Sequence, residues 1–155
     1  MTLPALSFLL GCVTGLRSLT GAAAVCWAVR LGWLPLEGTW LGFAGRTPAL
    51  VVFTLMAIGE LIADKLPRTP ARTEPLGLSA RVFFGGLCGA ALALSYHAKL
   101  PPAVVAGVAG GVAGAFGGYY IRQALVMRMR WPDFVVALAE DAIAIAGAFS
   151  IVSHV

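Results

Sequence analysis

Apolar residues run along this chain in long stretches, neither alternating nor recurring as a stripe on one helix face. Runs of that length are the pattern of helices facing lipid. They predict an all-α membrane protein of about five transmembrane helices, one integral membrane domain over residues 1–155. Span 1 runs from Leu3 to Trp33, too long for one upright helix, and its middle, Gly15 to Gly21, holds Arg17, Ser18 and Thr20. A polar, glycine-flanked stretch at that depth predicts a broken span. Residues Leu34 to Pro48 read as a loop anchored at the interface by Trp33 and Trp40. Span 2 covers Ala49 to Leu66, and a polar loop follows from Arg68 to Pro75. Span 3 covers Leu78 to Tyr96, span 4 Ala103 to Met127 and span 5 Phe134 to Ser153, with Asp133 as its candidate N-cap.

Spans 1 and 2 pair an Arg-bearing, Gly-rich segment (Arg17) with an acidic helix (Glu60, Asp64), and spans 4 and 5 repeat the pairing with Arg122, Glu140 and Asp141. Three spans separate the two starts, which predicts inverted two-helix repeats around span 3, a layout common in transporters.

Composition agrees with the pattern: 59% of residues are hydrophobic and 12% charged, where soluble domains are about a quarter charged. The net charge of +4 sits at span ends, which excludes a nucleic-acid face. Lys65, Arg68, Arg72, Arg81, Arg128 and Arg130 on one side outnumber Arg30, Arg46 and Lys99 on the other, which predicts a cytoplasmic N-terminus and a C-terminus outside. The N-terminus lacks the positive region of a secretory signal and reads as retained. Cys12, Cys26 and Cys88 lie in apolar runs without CxxC spacing and read as packing thiols.

The informative residues are charges inside spans, each costing about 2.5–3.5 kcal/mol at a helix centre unless partnered or hydrated. Glu60, Arg122, Glu140 and Asp141 share a depth roughly 10 Å inside one boundary, with Asp64 and Lys65 a turn outside Glu60. Four carboxylates facing Arg17, Arg122 and a boundary Lys65 leave surplus acid that could exchange protons or ions. Ser18 or Thr20 could cap a half-helix whose free N–H groups favour an anion, or could equally bond back to the preceding turn and bend the helix. The candidate substrate or ion site is therefore Arg17, Ser18, Thr20, Glu60, Asp64, Lys65, Arg122, Glu140 and Asp141. Rows of glycine, Gly85/Gly89, Gly107/Gly111 and Gly110/Gly114/Gly118, let helices approach closely, within or between protomers. No catalytic triad, His-rich metal or Walker-type motif is present, which points away from an enzyme and from a cofactor.

The segments Gly15-Leu16-Arg17-Ser18-Leu19-Thr20, Gly59-Glu60-Leu61-Ile62-Ala63-Asp64-Lys65-Leu66-Pro67 and Leu138-Ala139-Glu140-Asp141 resemble the signatures of the domain-of-unknown-function 4126 family, small bacterial inner-membrane proteins. The resemblance spans nearly the whole chain and implies that fold and membrane but no activity. Many members carry a GLxA-type segment where this chain has Arg17-Ser18.

The reading is a small transporter or channel for a small ion or anionic solute, assembled as a homodimer in the lipid bilayer. Two alternatives stay open. One is an intramembrane metal-dependent enzyme acting on lipid headgroups. The other is a scaffold whose charges are purely structural.

Overall fold

A computed structural model describes residues 1–65 and 73–155. Among them the chain forms six α-helices and no strand: α1 (Leu3–Leu16), α2 (Ser18–Arg30), α3 (Thr47–Ala63), α4 (Pro75–Ser95), α5 (Leu100–Gln123) and α6 (Asp133–Ser153). A short 3-10 turn, Gly42–Gly45, precedes α3, and a π-helical segment, Ala124–Arg128, extends α5. Proline stands in the first turn of α1, α3, α4 and α5, where its missing N–H is not needed. The segments α4, α5 with its π extension and α6 are long and apolar enough to cross a bilayer, while α1 and α3 are shorter apolar helices. These are the helices of a membrane protein. Much of the predicted polar loop, with Arg68 and Arg72, and the Leu66-Pro67 end of span 2 lie outside the described residues.

The predicted break in span 1 is present at Arg17, which is extended (φ −139, ψ 105) between two helices. The chain does not continue across the membrane there. It turns back. A Cβ placed on Gly21 would collide with the Thr14 side chain, although residues seven apart in one straight helix stand about 10 Å apart. The packing partners give the directions. Gly11 meets Gly107 and Gly110 while Gly15 meets Gly111 and Gly114, so α1 and α5 run the same way. Gly85 meets Gly107 and Gly89 meets Ala103, so α4 runs opposite. α1 and α2 thus form a helical hairpin, and the six helices alternate in direction.

Two sequence expectations change in consequence. The single crossing from Leu3 to Trp33 is instead two legs, so five spans become six legs. Since α1 and α5 are parallel, the units built on them are not inverted with respect to each other. The termini also share one end of the bundle: Met1, Tyr96 and His154 line one surface groove. An odd number of crossings had put them on opposite sides.

The hairpin is short. At 14 and 13 residues its legs reach about 20 Å, against roughly 30 Å of hydrocarbon. It enters from the end that carries the termini, and its tip stops beside Arg81 and Asp141, about 10 Å inside the far ends of α4 and α6. The core joins Leu6 and Leu10 of α1 to Ala24, Ala28, Leu92, Ala144, Ala148 and Val152. Leu34 and Leu36 fold back from the loop into it, fully buried. The glycine rows are used inside the protomer. A Cβ on Gly107 would strike the Gly85 carbonyl, and one on Gly114 the Cys12 carbonyl. Only backbones without side chains let α5 sit this close to α1 and α4.

Candidate functional site

A helix broken inside a bilayer exposes carbonyls at one end and N–H groups at the other, and both must find partners without water. The hairpin tip answers with charge of the right sign at each end. Arg81, buried in α4, donates from Nε to the carbonyl of Gly15 in the last turn of α1 at 3.0 Å, and from Nη1 to Gly77 at 2.8 Å. Glu60, on α3, accepts at the start of α2. Its Oε1 takes the Ser18 N–H at 2.7 Å and the Ser18 hydroxyl at 2.5 Å, and its Oε2 takes the Leu19 N–H at 2.8 Å. Arg81 Nη2 lies 4.0 Å from the Glu60 carboxylate, so the two caps attract each other.

Between the two legs sits Arg17 itself, wholly buried. Its Nε donates to Asp141 at 2.7 Å and its Nη1 donates to Asp64. Nη2 lies 2.6 Å from the same Asp141 oxygen but makes no hydrogen bond. The other Asp141 oxygen accepts from Lys65 Nζ at 2.5 Å, and Lys65 also donates to the Leu61 carbonyl at 2.8 Å. Thr20 is 5% exposed, and its hydroxyl has no protein partner. Nearer the end opposite the termini, Arg122 forks onto Asp133 at 2.9 and 2.8 Å and lies 3.5 Å from Glu140.

The structure therefore brings Arg17, Ser18, Glu60, Asp64, Lys65 and Asp141 into one cluster, with Thr20 in the same helical turn. Arg122 and Glu140 form a neighbouring pair. Arg17 pairs with Asp64 and Asp141, while Glu60 is taken by the N–H groups of α2. Two expectations are revised. Arg122 is held mainly by Asp133, which forms an ion pair with it instead of capping α6; Pro132 holds the cap position. Arg81 is no loop residue. It lies six residues inside α4, and its depth in an apolar span was the signal. Counting it, Arg17, Lys65, Arg81 and Arg122 equal Glu60, Asp64, Glu140 and Asp141 in number, and Asp133 on Arg122 leaves the acids one ahead.

Among the described residues no group of three or more His, Cys, Asp and Glu could hold a metal ion. Cys12, Cys26 and Cys88 are free.

A family described as a domain of unknown function (DUF4126) matches residues 5–154. The chain belongs to this family. The match takes in the hairpin from residue 5 onward, the charged cluster and the remaining helices. No curated protein and no solved structure matches the chain.

Proposed function

We propose that this family member is a small transporter or channel of the bacterial inner membrane, and that the charged tip of the hairpin is where a small ion passes. One observation carries the reading: a helix pair that enters the bilayer, stops short and ends in a buried cluster of ionised side chains. Irregular backbone at membrane depth is tolerated only inside protein or beside a water-filled cavity, and broken helices of this kind form the ion sites of many transporters. A scaffold needs no such break, and an unbroken helix would avoid the cost of burying these ions.

The cluster is suited to exchange of partners. Asp141 serves Arg17 and Lys65 at once, and Arg17 serves two carboxylates, so an entering ion could take one place without stranding the rest. We propose homodimeric assembly because six helices, three of them short, hardly enclose both a polar site and a pathway. The glycine rows no longer argue for it.

The test is ion flux in liposomes carrying the purified protein, under gradients of sodium, potassium, chloride, nitrate and formate salts. Wild type should dissipate at least one gradient. Asp64→Asn, which keeps shape and one acceptor, should change that rate by ~tenfold, the effect of about 1.4 kcal/mol in a barrier. Vesicles no leakier than protein-free ones to every ion would overturn the proposal.

A further inference from the structure

We infer that the first turn of α2 is a binding site for a small monoanion, which the Glu60 carboxylate occupies in this structure. The inference rests on the transport reading and names the class of ion carried. Glu60 belongs to another helix, yet it sits where a ligand anion would sit at a helix N-terminus, with three donors directed at it. The site holds more donor capacity than Glu60 uses. Thr20 is 95% buried, by its 5% exposure, and its hydroxyl is unpartnered. It stands third in the helix, one residue past the Leu19 N–H that Glu60 accepts. The Arg81 guanidinium flanks the carboxylate, its Nη2 4.0 Å from Glu60 Oε1.

A cation finds no such welcome. Asp64 and Asp141 are held by Arg17 and Lys65, and Glu60 by Ser18 and Leu19.

The occupant is also placed to leave. α3 packs chiefly on α2 and the 3-10 turn before it, with Ala57 its one buried residue. Withdrawal of Glu60 with entry of a monoanion conserves the charge of the cluster. The geometry selects a flat, carboxylate-sized ion such as formate or nitrate.

The experiment compares thermal unfolding of purified wild type, Glu60→Ala and Glu60→Ala/Thr20→Val. Sodium formate and sodium nitrate are titrated against sodium gluconate at constant ionic strength. Glu60→Ala should unfold at lower temperature than wild type, and formate or nitrate should raise its midpoint by about 3 °C at ten times the dissociation constant. Wild type should not respond, and adding Thr20→Val should blunt the response. If Glu60→Ala does not fold, Glu60→Gln serves, since its amide confronts the Ser18 N–H with a donor and weakens the occupant. A variant that no anion restores, or one restored equally by gluconate, overturns the inference. Wild-type flux separates the two readings. Flux without anion rescue leaves transport standing and removes the anion. Rescue without flux keeps the anion site and removes transport.

Discussion

Arg17 meets two carboxylates, and that asymmetry sets what its loss should do. Arg17→Met would leave Asp64 without its cation and Asp141 with Lys65 alone. Breaking a buried ion pair on one side costs about 3–5 kcal/mol, because the remaining charge stays buried. The variant should unfold at much lower denaturant or temperature than wild type in the same detergent. Arg17→Met with Asp64→Leu should recover much of the loss, since Asp141 keeps Lys65. Equal stability of the single and double variants would mean that Asp64 is not a partner of Arg17. The residue types at this site were legible in the sequence, because a charge in an apolar run stands out. Their pairing was not, since two carboxylates a turn apart on α3 face different partners. Glu60 answers backbone N–H groups, and no sequence pattern marks which backbone groups a break will expose. Arg81 was missed for a plainer reason: span 3 was read from Leu78, while α4 begins at Pro75 and carries Arg81 inward.

At the scale of the helices, the glycines of α5 decide how the hairpin is held. Gly114 faces the Cys12 carbonyl with no space for a Cβ. Gly114→Leu should therefore part α5 from α1 and leave a protein that aggregates or fails to assemble its helices, seen as loss of a single elution peak. Gly117, with nothing within 4 Å, is the control; its replacement by leucine should be tolerated. If both variants behave alike, close packing is not the role of these rows. The break at Gly15 to Gly21 was readable from its polar, glycine-flanked composition. Its direction was not. A run from Leu3 to Trp33 suits one tilted, interrupted helix or two short legs equally well, and only the partners of Gly11, Gly15 and Gly21 tell them apart.

For the whole molecule, the hairpin changes the orientation that basic residues imply. Arg30, Arg46 and Lys99 now share an end with Met1 and with His154. Lys65, Arg128 and Arg130 stand at the other end, where the α3–α4 connection carries Arg68 and Arg72 in sequence. Arg81 leaves the count, being buried. With Arg68 and Arg72 counted from the sequence, the excess predicts that this end is cytoplasmic and that both termini lie outside. Single cysteines at Thr2, Glu37 and Val155 should react together with an impermeant maleimide on intact cells, and one at Met129 should react only after lysis. Labelling of Thr2 and Val155 from opposite sides would restore an odd number of crossings.

The bond from Arg17 to Asp141 spans 124 residues of sequence, and this has a consequence for biosynthesis. Ribosomes add about 5–20 residues per second, so Arg17 is made roughly 6–25 s before Asp141 exists. During that interval the hairpin has α3 and Asp64 to lean on but no α6. The order of synthesis makes α6 the closing piece: one of the two carboxylates of Arg17 exists only when the last helix is made.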